Sequence, residues 1–275
     1  MQQIQPTSSK RKSIEKLAAA LLRDSQRPAS ATAIYHRNCA QSGDALTLMQ
    51  SLPDSCAPLM FFDAQHRHVL DKLQYGNEGA RQKGRATLPA MTDSYIDACC
   101  REAARLLTPS GYLMRWVDTF ALCEAHHLRI ADVLKGVDLI AWDNLRIGNG
   151  YRSRRRGDYL LILQKSPIAA KRTWRDHGIP SRWPEKVDRK IHPHIKPIGL
   201  ITRLIGAVTE PGDLVVDPCA GSFIAMHAAH GLGREFIGVD LAYTLANPLA
   251  ALDEDIGLPS FDALPPIPAT TEAMS

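Results

Sequence analysis

No stretch of the 275-residue chain approaches the roughly 20 consecutive apolar residues that a membrane helix needs, so a membrane-spanning helix is not expected. The N-terminal stretch 1–17 is polar and basic with no apolar core of its own, so a secretory signal is not expected. Cysteine is scarce, with six residues: Cys39, Cys56, Cys99, Cys100, Cys123 and Cys219. They form no CxxC pair and no disulfide-like spacing, which predicts reduced thiols in a cytoplasmic protein. Cys123 with His126 and His127 fits no common zinc spacing, so no metal is expected. There is no internal repeat. There is also no GxGxxG, which removes the pyrophosphate grip of a dinucleotide enzyme.

What is present is an ordinary globular composition, 45% hydrophobic and 23% charged, able to bury a real core. The length suits one large domain, or one domain with a substantial insertion. The net charge of +4 is unevenly placed: residues 142–190 hold 13 Lys/Arg against 5 Asp/Glu. A basic segment on a near-neutral body is the footprint of a polyanion-binding surface; the alternative is a solvated, arginine-rich loop.

Residues 1–30 read as a polar arm with one short helix over 13–23, and the proline-rich stretch 258–275 as a disordered tail. Between them, short apolar runs alternate with helical patterns. Residues 57–62 (APLMFF) read as a buried strand ending at Asp63. Residues 95–107 read as a helix, and Pro109-Ser110-Gly111 as a turn into a strand at 112–117. Strands are also expected at 158–164, 214–216 and 235–239, with helices at 197–209 and 223–230. Such alternation predicts an α/β fold with a mostly parallel, doubly wound sheet over 31–257, and 142–190 as an insertion within it.

The most informative stretch is Leu214-Val215-Val216-Asp217-Pro218-Cys219-Ala220-Gly221-Ser222. An apolar strand stops at an acid, a small-residue loop follows, and a helix begins. A ligand at the carboxyl end of such a strand meets free backbone N–H groups, and the small residues let it approach closely. The next strand ends at Asp240, 23 residues after Asp217, where an acid can hydrogen-bond both ribose hydroxyls of a nucleoside. A loop that starts with an aspartate repels phosphates and suits a cation. That favours the amino group and sulfonium of S-adenosyl-L-methionine over NAD.

With His192-Pro193-His194-Ile195-Lys196-Pro197, Arg203-Leu204-Ile205 and Pro211-Gly212-Asp213 added, the chain resembles the N6-adenine/N4-cytosine DNA methyltransferases of the permuted β group, bacterial or phage-type. The resemblance spans residues 38–241. It implies a Rossmann-like sheet that binds S-adenosyl-L-methionine, with Asp217, Pro218, Cys219, Ala220, Gly221 and Ser222 as the cofactor loop and Asp240 as the ribose acid. It also implies Lys196 and Pro197 on the methionine side of the pocket, Asp44 near the cofactor adenine, DNA as partner, and a homodimer as a common state of the group.

Amino-methylation needs an acid and a backbone carbonyl to polarise the exocyclic nitrogen, and a flat surface to hold the flipped base. At the matching position stand Asp63, Ala64, Gln65 and His66. An acid in place of serine points to adenine N6 over cytosine N4. Ala64 replaces the usual proline and His66 the usual aromatic, so a slowed enzyme or an inactive DNA-binding copy stands as an alternative, beside N4-cytosine methylation and an RNA or protein substrate. The polar loop 69–82 resembles a segment of prophage-associated adenine methyltransferases that closes over the flipped base. Arg152, Arg154, Arg155, Arg156, Lys171 and Arg172 are the expected DNA contacts, since arginine forks suit phosphates and guanine edges. Trp174 and Trp183 either stack on bases or anchor the insertion.

Overall fold

Every central strand of this chain reads as a near-continuous apolar run, the pattern of strands buried on both faces. The computed structural model describes residues 35–64, 91–148, 153–187 and 195–243. The expected arm and its helix, the tail, Gln65, His66, the loop 69–82, Arg152 and the run 192–194 lie outside the described residues.

The elements in order are α1 (Ala45–Ser51), β1 (Ala57–Asp63), α2 (Asp93–Leu106), β2 (Leu107–Val117), α3 (Thr119–Cys123) and a 3-10 turn (His126–Ile130). Then come β3 (Lys135–Asp143), β4 (Tyr159–Gln164), α4 (Ala170–Thr173), β5 (Arg182–Pro184), α5 (Ile198–Val208), β6 (Leu214–Asp217), α6 (Ile224–Gly231) and β7 (Glu235–Gly238). The seven strands form one sheet in the order β5-β3-β4-β2-β1-β6-β7. Four pairings are parallel, as expected, and β4 runs antiparallel to both β2 and β3.

Two layers of apolar side chains cover the sheet. On one face Leu59, Phe61, Met114, Trp116, Ile162 and Val215 pack against Leu200, Leu204 and Ile205 of α5 and Ala225 and Ala229 of α6. On the other, Met60, Phe62, Leu113, Leu163 and Val216 pack against Leu48 and Met49 of α1 and Ile96, Cys100 and Ala103 of α2. The helices start where their caps dictate. Asp44 Oδ1 accepts from Thr47 N at 2.9 Å to open α1, and Thr92 Oγ1 accepts from Tyr95 N at 3.2 Å to open α2.

Two expectations are corrected. Pro109-Ser110-Gly111 does not precede its strand but sits inside β2, as an irregularity between the pairs Ala57–Leu107 and Leu59–Tyr112, with Ser110 at φ 64°. Residues 142–190 are not set apart from the sheet. They supply the end of β3 and all of β4 and β5, because the apolar run Tyr159–Gln164 is buried between β2 and β3. Among the described residues no helix is long and apolar enough to cross a membrane.

Candidate active site

The chain leaves β1 through α2 on one face of the sheet and leaves β6 through α6 on the other, so the neighbours β1 and β6 part at their carboxyl ends. A crevice opens at such a switch point. Parallel register brings the strand ends into one row. Asp63 lies beside Trp116, Asp217 pairs with Gly238, and Asp240 follows two residues beyond. Because β4 is antiparallel, with Trp116 opposite Leu160, its first residues reach the same edge and carry Asp158 there. Phe61, Asp63, Trp116, Lys196, Ile201, Asp217, Ile224, Ala225 and the loop Cys219 to Ser222 line a cleft of about 410 Å³, its open mouth included.

Lys196 stands at the centre. Its Nζ lies 3.0 Å from Asp63 Oδ2, 3.4 Å from Asp158 Oδ2 and 4.8 Å from the centroid of the Trp116 ring. Burial works to deprotonate the amine, but Asp63 and then Asp158 outweigh it and hold its pKa above the ordinary lysine value. Lys196 is fixed from below by the start of α5. There the Glu185 carboxylate accepts from Gly199 N at 2.9 Å and Leu200 N at 3.1 Å, capping amides that Pro197 has no side-chain group to satisfy.

Asp217 is 7% exposed. Burial pushes its carboxyl up to about 7, although the Cys219 amide, donating to Oδ1 at 3.2 Å, favours the charged form. The charges of Asp63 and Asp240 add to the rise, and Lys196 offsets part of it. Two acids are thus held near a buried third whose own charge is suppressed. A cation entering the cleft would restore that charge, whereas a phosphate would meet Asp217 and Asp240 with only Lys196, already paired to Asp63, to offset them. Asp240 Oδ2 accepts from Gly221 N at 3.2 Å and Oδ1 from Ala242 N at 2.8 Å, which ties the two strand-end loops together.

Residues 90–247 match the family described as DNA methylase. The chain belongs to that family. It is 45% identical over 203 residues to the Type II methyltransferase M.HhaII of Haemophilus parahaemolyticus, covering 73% of this chain and 89% of that one. Over 50 residues, 18% of this chain and 17% of the relative, it is 48% identical to the DNA adenine methyltransferase YhdJ of Escherichia coli strain K12. Among solved structures, the cytosine-N4-specific PvuII DNA methyltransferase aligns at a TM-score of 0.60 and 17% identity, over 79% of this chain and 87% of its own. The putative DNA modification methylase TTHA0409 of Thermus thermophilus, complexed with S-adenosyl-L-methionine, aligns at 0.51 and 19% identity, over 74% and 87%. At such identities the solved structures speak for the fold, the mixed α/β sheet of DNA methyltransferases.

In this methyltransferase the expected residues divide into those that meet in the cleft and those that do not. Asp63, Lys196, Asp217, Cys219, Ala220, Gly221 and Ser222 line it. Pro218 and Pro197 are buried beside it, and Ala64 is buried on the α2 face of the sheet. Asp44 is built into the scaffold: it caps α1 and accepts from the Tyr95 hydroxyl at 2.8 Å, two residues from the bridge between Ser42 and Asp240. The loop amides are less free than the sequence suggested. Cys219 N, Ala220 N and Gly221 N donate to Asp217 Oδ1, Val239 O and Asp240 Oδ2, because the glycine at φ 50° folds the loop back onto β7.

The basic segment also divides. Arg154 donates to Gly148 O at 3.0 Å, Arg155 pairs with Asp158, and Arg156 Nη2 lies 3.0 Å from Asp143 Oδ2, all at the cleft edge of the sheet. Gly157 makes this possible, since a Cβ there would meet Trp142 O at 1.7 Å. Lys171 and Arg172 do not join them. They sit on α4, whose Thr173 hydroxyl bonds the Tyr112 hydroxyl at 2.7 Å, four residues down β2 from Trp116 and so roughly 13 Å from the cleft edge. Trp174 and Trp183 serve as anchors: the first packs edge-on to Tyr112 at 5.7 Å, and the second is 9% exposed under Arg203.

The sequence reading missed Trp116, Asp158 and Glu185. Only the antiparallel course of β4 brings Asp158 to the site, and no local pattern announces that course. Trp116 was within reach, as a large aromatic near the end of a strand next to the one that ends in Asp63.

Proposed function

We propose that this methyltransferase transfers a methyl group from S-adenosyl-L-methionine to N6 of adenine in DNA. The observation that carries the reading is the position of Asp63. Its carboxylate ends the strand next to the Asp217 loop and opens into the same cleft. A cationic cofactor suits that cleft, because a buried acid with a raised pKa and two neighbouring carboxylates favour a ligand of opposite charge. When bound, the cofactor supplies an electrophilic methyl on a sulfonium.

The chain's own residues do the rest. Asp217 and its loop hold the nucleoside and the charged end, Asp240 accepts from ribose hydroxyls, and Asp44 lies toward the adenine. Lys196 and Pro197 border the methionine side. Asp63 accepts a hydrogen bond from the exocyclic N–H of the target, which leaves the N6 lone pair less conjugated with the ring and aimed at the methyl. The bound sulfonium would supply the methyl for N6, and Asp63, already holding the N–H, would take up the proton that N6 must lose as it gains the methyl. His66, three residues on, is the proposed stacking platform for the flipped base, a contact of about 1–3 kcal/mol when aromatic. Arg154, Arg155 and Arg156, at the cleft edge, are the proposed phosphate contacts. The chain order, acid strand before cofactor strand, supports the permuted β group, and DNA as substrate implies work in the cytoplasm.

Methylation of duplex DNA with labelled cofactor, followed by digestion and mass spectrometry of the nucleosides, tests the reading. N6-methyladenine is expected, and N4-methylcytosine would overturn the choice of base. Asp63→Ala should lower the rate about 1,000-fold, the size of effect seen on removing one group that stabilises a transition state. Cofactor affinity should fall far less than the rate, and DNA affinity should change little. DNA bound without any methylation in the wild type would leave a non-catalytic protein of this fold.

A further inference from the structure

One ammonium lies between two carboxylates at the base of the cleft. Lys196 Nζ is 3.0 Å from Asp63 Oδ2 and 3.4 Å from Asp158 Oδ2, and the other oxygen of Asp158 faces the Arg155 guanidinium. An unbroken chain of ion pairs therefore runs from the arginine segment to the acid of the site: Arg155, Asp158, Lys196, Asp63. The Lys196 side chain is 11% exposed and that of Asp158 18%, so these charges are poorly screened and the position of one decides the position of the next.

An ammonium on Asp63 Oδ2 competes with the hydrogen bond that the target amino group must make. With Arg155 held by Asp158, Arg155 and Lys196 both draw on the Asp158 charge among the described residues, and Lys196 leans to Asp63, as the shorter of its two contacts shows. A phosphate that takes Arg155 leaves Asp158 with one cation fewer. The ammonium is then drawn across, and Asp63 is released toward the base. We propose that Asp158 is a positioning residue for methyl transfer, which acts by drawing Lys196 off Asp63 when DNA engages Arg155. This rests on the reading of Asp63 as the acid that polarises the target nitrogen.

The test is a double-mutant cycle on the full-length protein with saturating S-adenosyl-L-methionine and duplex DNA, in single turnover. Asp158→Asn leaves Lys196 to Asp63 and should lower the methyl-transfer rate about 10-fold, with dissociation constants for cofactor and DNA changed less than about 3-fold. Asp158→Glu should restore the rate to within about 3-fold of wild type. In a Lys196→Met background, Asp158→Asn should cost nothing further, since no ammonium remains to be placed. Independently of turnover, Asp158→Asn frees Arg155 of its acid and should steepen the salt dependence of DNA binding, by less than the roughly 0.9 in log–log slope of a whole added phosphate contact because Arg155 already engages DNA in the wild type. Equal losses with and without Lys196, or an unchanged rate in Asp158→Asn, would overturn the proposal while the methyltransferase reading stands. A wild type that transfers no methyl group overturns both.

Discussion

The two halves of the cleft handle charge in opposite ways. On the β6–β7 side, Asp217 and Asp240 are surrounded by backbone: the Cys219, Gly221 and Ala242 amides donate to them, and Asp217 is so deeply buried that its carboxyl rises to about 7. On the β1–β4 side Asp63, Asp158 and Asp143 each have a cation. Asp63 and Asp158 share Lys196, Asp158 also holds Arg155, and Asp143 holds Arg156. The first half keeps uncompensated negative potential for a cationic ligand. The second is already neutralised, so any polyanion that docks there must redistribute existing pairs. Backbone amides cannot move away from a ligand, whereas long Lys and Arg side chains can, and this separates a pocket held by backbone from a surface whose ion pairs can rearrange.

The sharpest way to break the comparison is to remove the buried acid. Asp217→Ala should weaken S-adenosyl-L-methionine binding on the order of 100-fold, about 2.7 kcal/mol, because a desolvated charge loses its counter-charge. Asp240→Ala should weaken it about 10-fold, the loss of hydrogen bonds from uncharged ribose hydroxyls. Calorimetry that gives both variants the wild-type affinity would show that the cofactor lies elsewhere.

The pH dependence is the next largest effect. Between the ordinary carboxyl value of 3.8 and about 7, folded Asp217 keeps a proton that the unfolded chain has released. Its contribution to stability therefore falls as pH rises through that window. Binding of a cation runs the other way, since it needs the charged form. Cofactor affinity should drop up to about 10-fold per unit as pH falls below 7 and level off above it, with a proton released on binding. Asp217→Asn should abolish this dependence. A profile flat from about pH 6 to 8 in the wild type would mean that the acid is already ionised in the free protein.

The smallest effect belongs to the paired side. Arg154, which donates to the Gly148 carbonyl and not to an acid among the described residues, should contribute its full share to DNA binding: Arg154→Gln should lower the log–log salt slope by about 0.9. Arg156→Gln should lower it less, because Asp143 already neutralises that guanidinium. Equal slopes for the two variants would remove the distinction drawn between arginines with and without a neighbouring acid.

The sequence alone determined the β6–β7 half of the cleft. An apolar run ending at Asp217, a small-residue loop and a second run ending at Asp240 are consecutive in the chain, and parallel pairing of such neighbours leaves little freedom in where their ends fall. The acid of β1 was legible for the same reason, as the polar stop of a buried strand. Tertiary structure decided the other half. The direction of β4 is a choice that Tyr159–Gln164 does not encode, since a strand apolar on both faces reads the same way up or down. That choice alone carries Asp158 and the arginines to Lys196. It leaves Lys171 and Arg172 some distance down the sheet. A count of charges over residues 142–190 sees one basic patch, whereas the fold divides it by the register of two strands, because hydrogen-bond pairing across the sheet, and not proximity in sequence, fixes which charges meet.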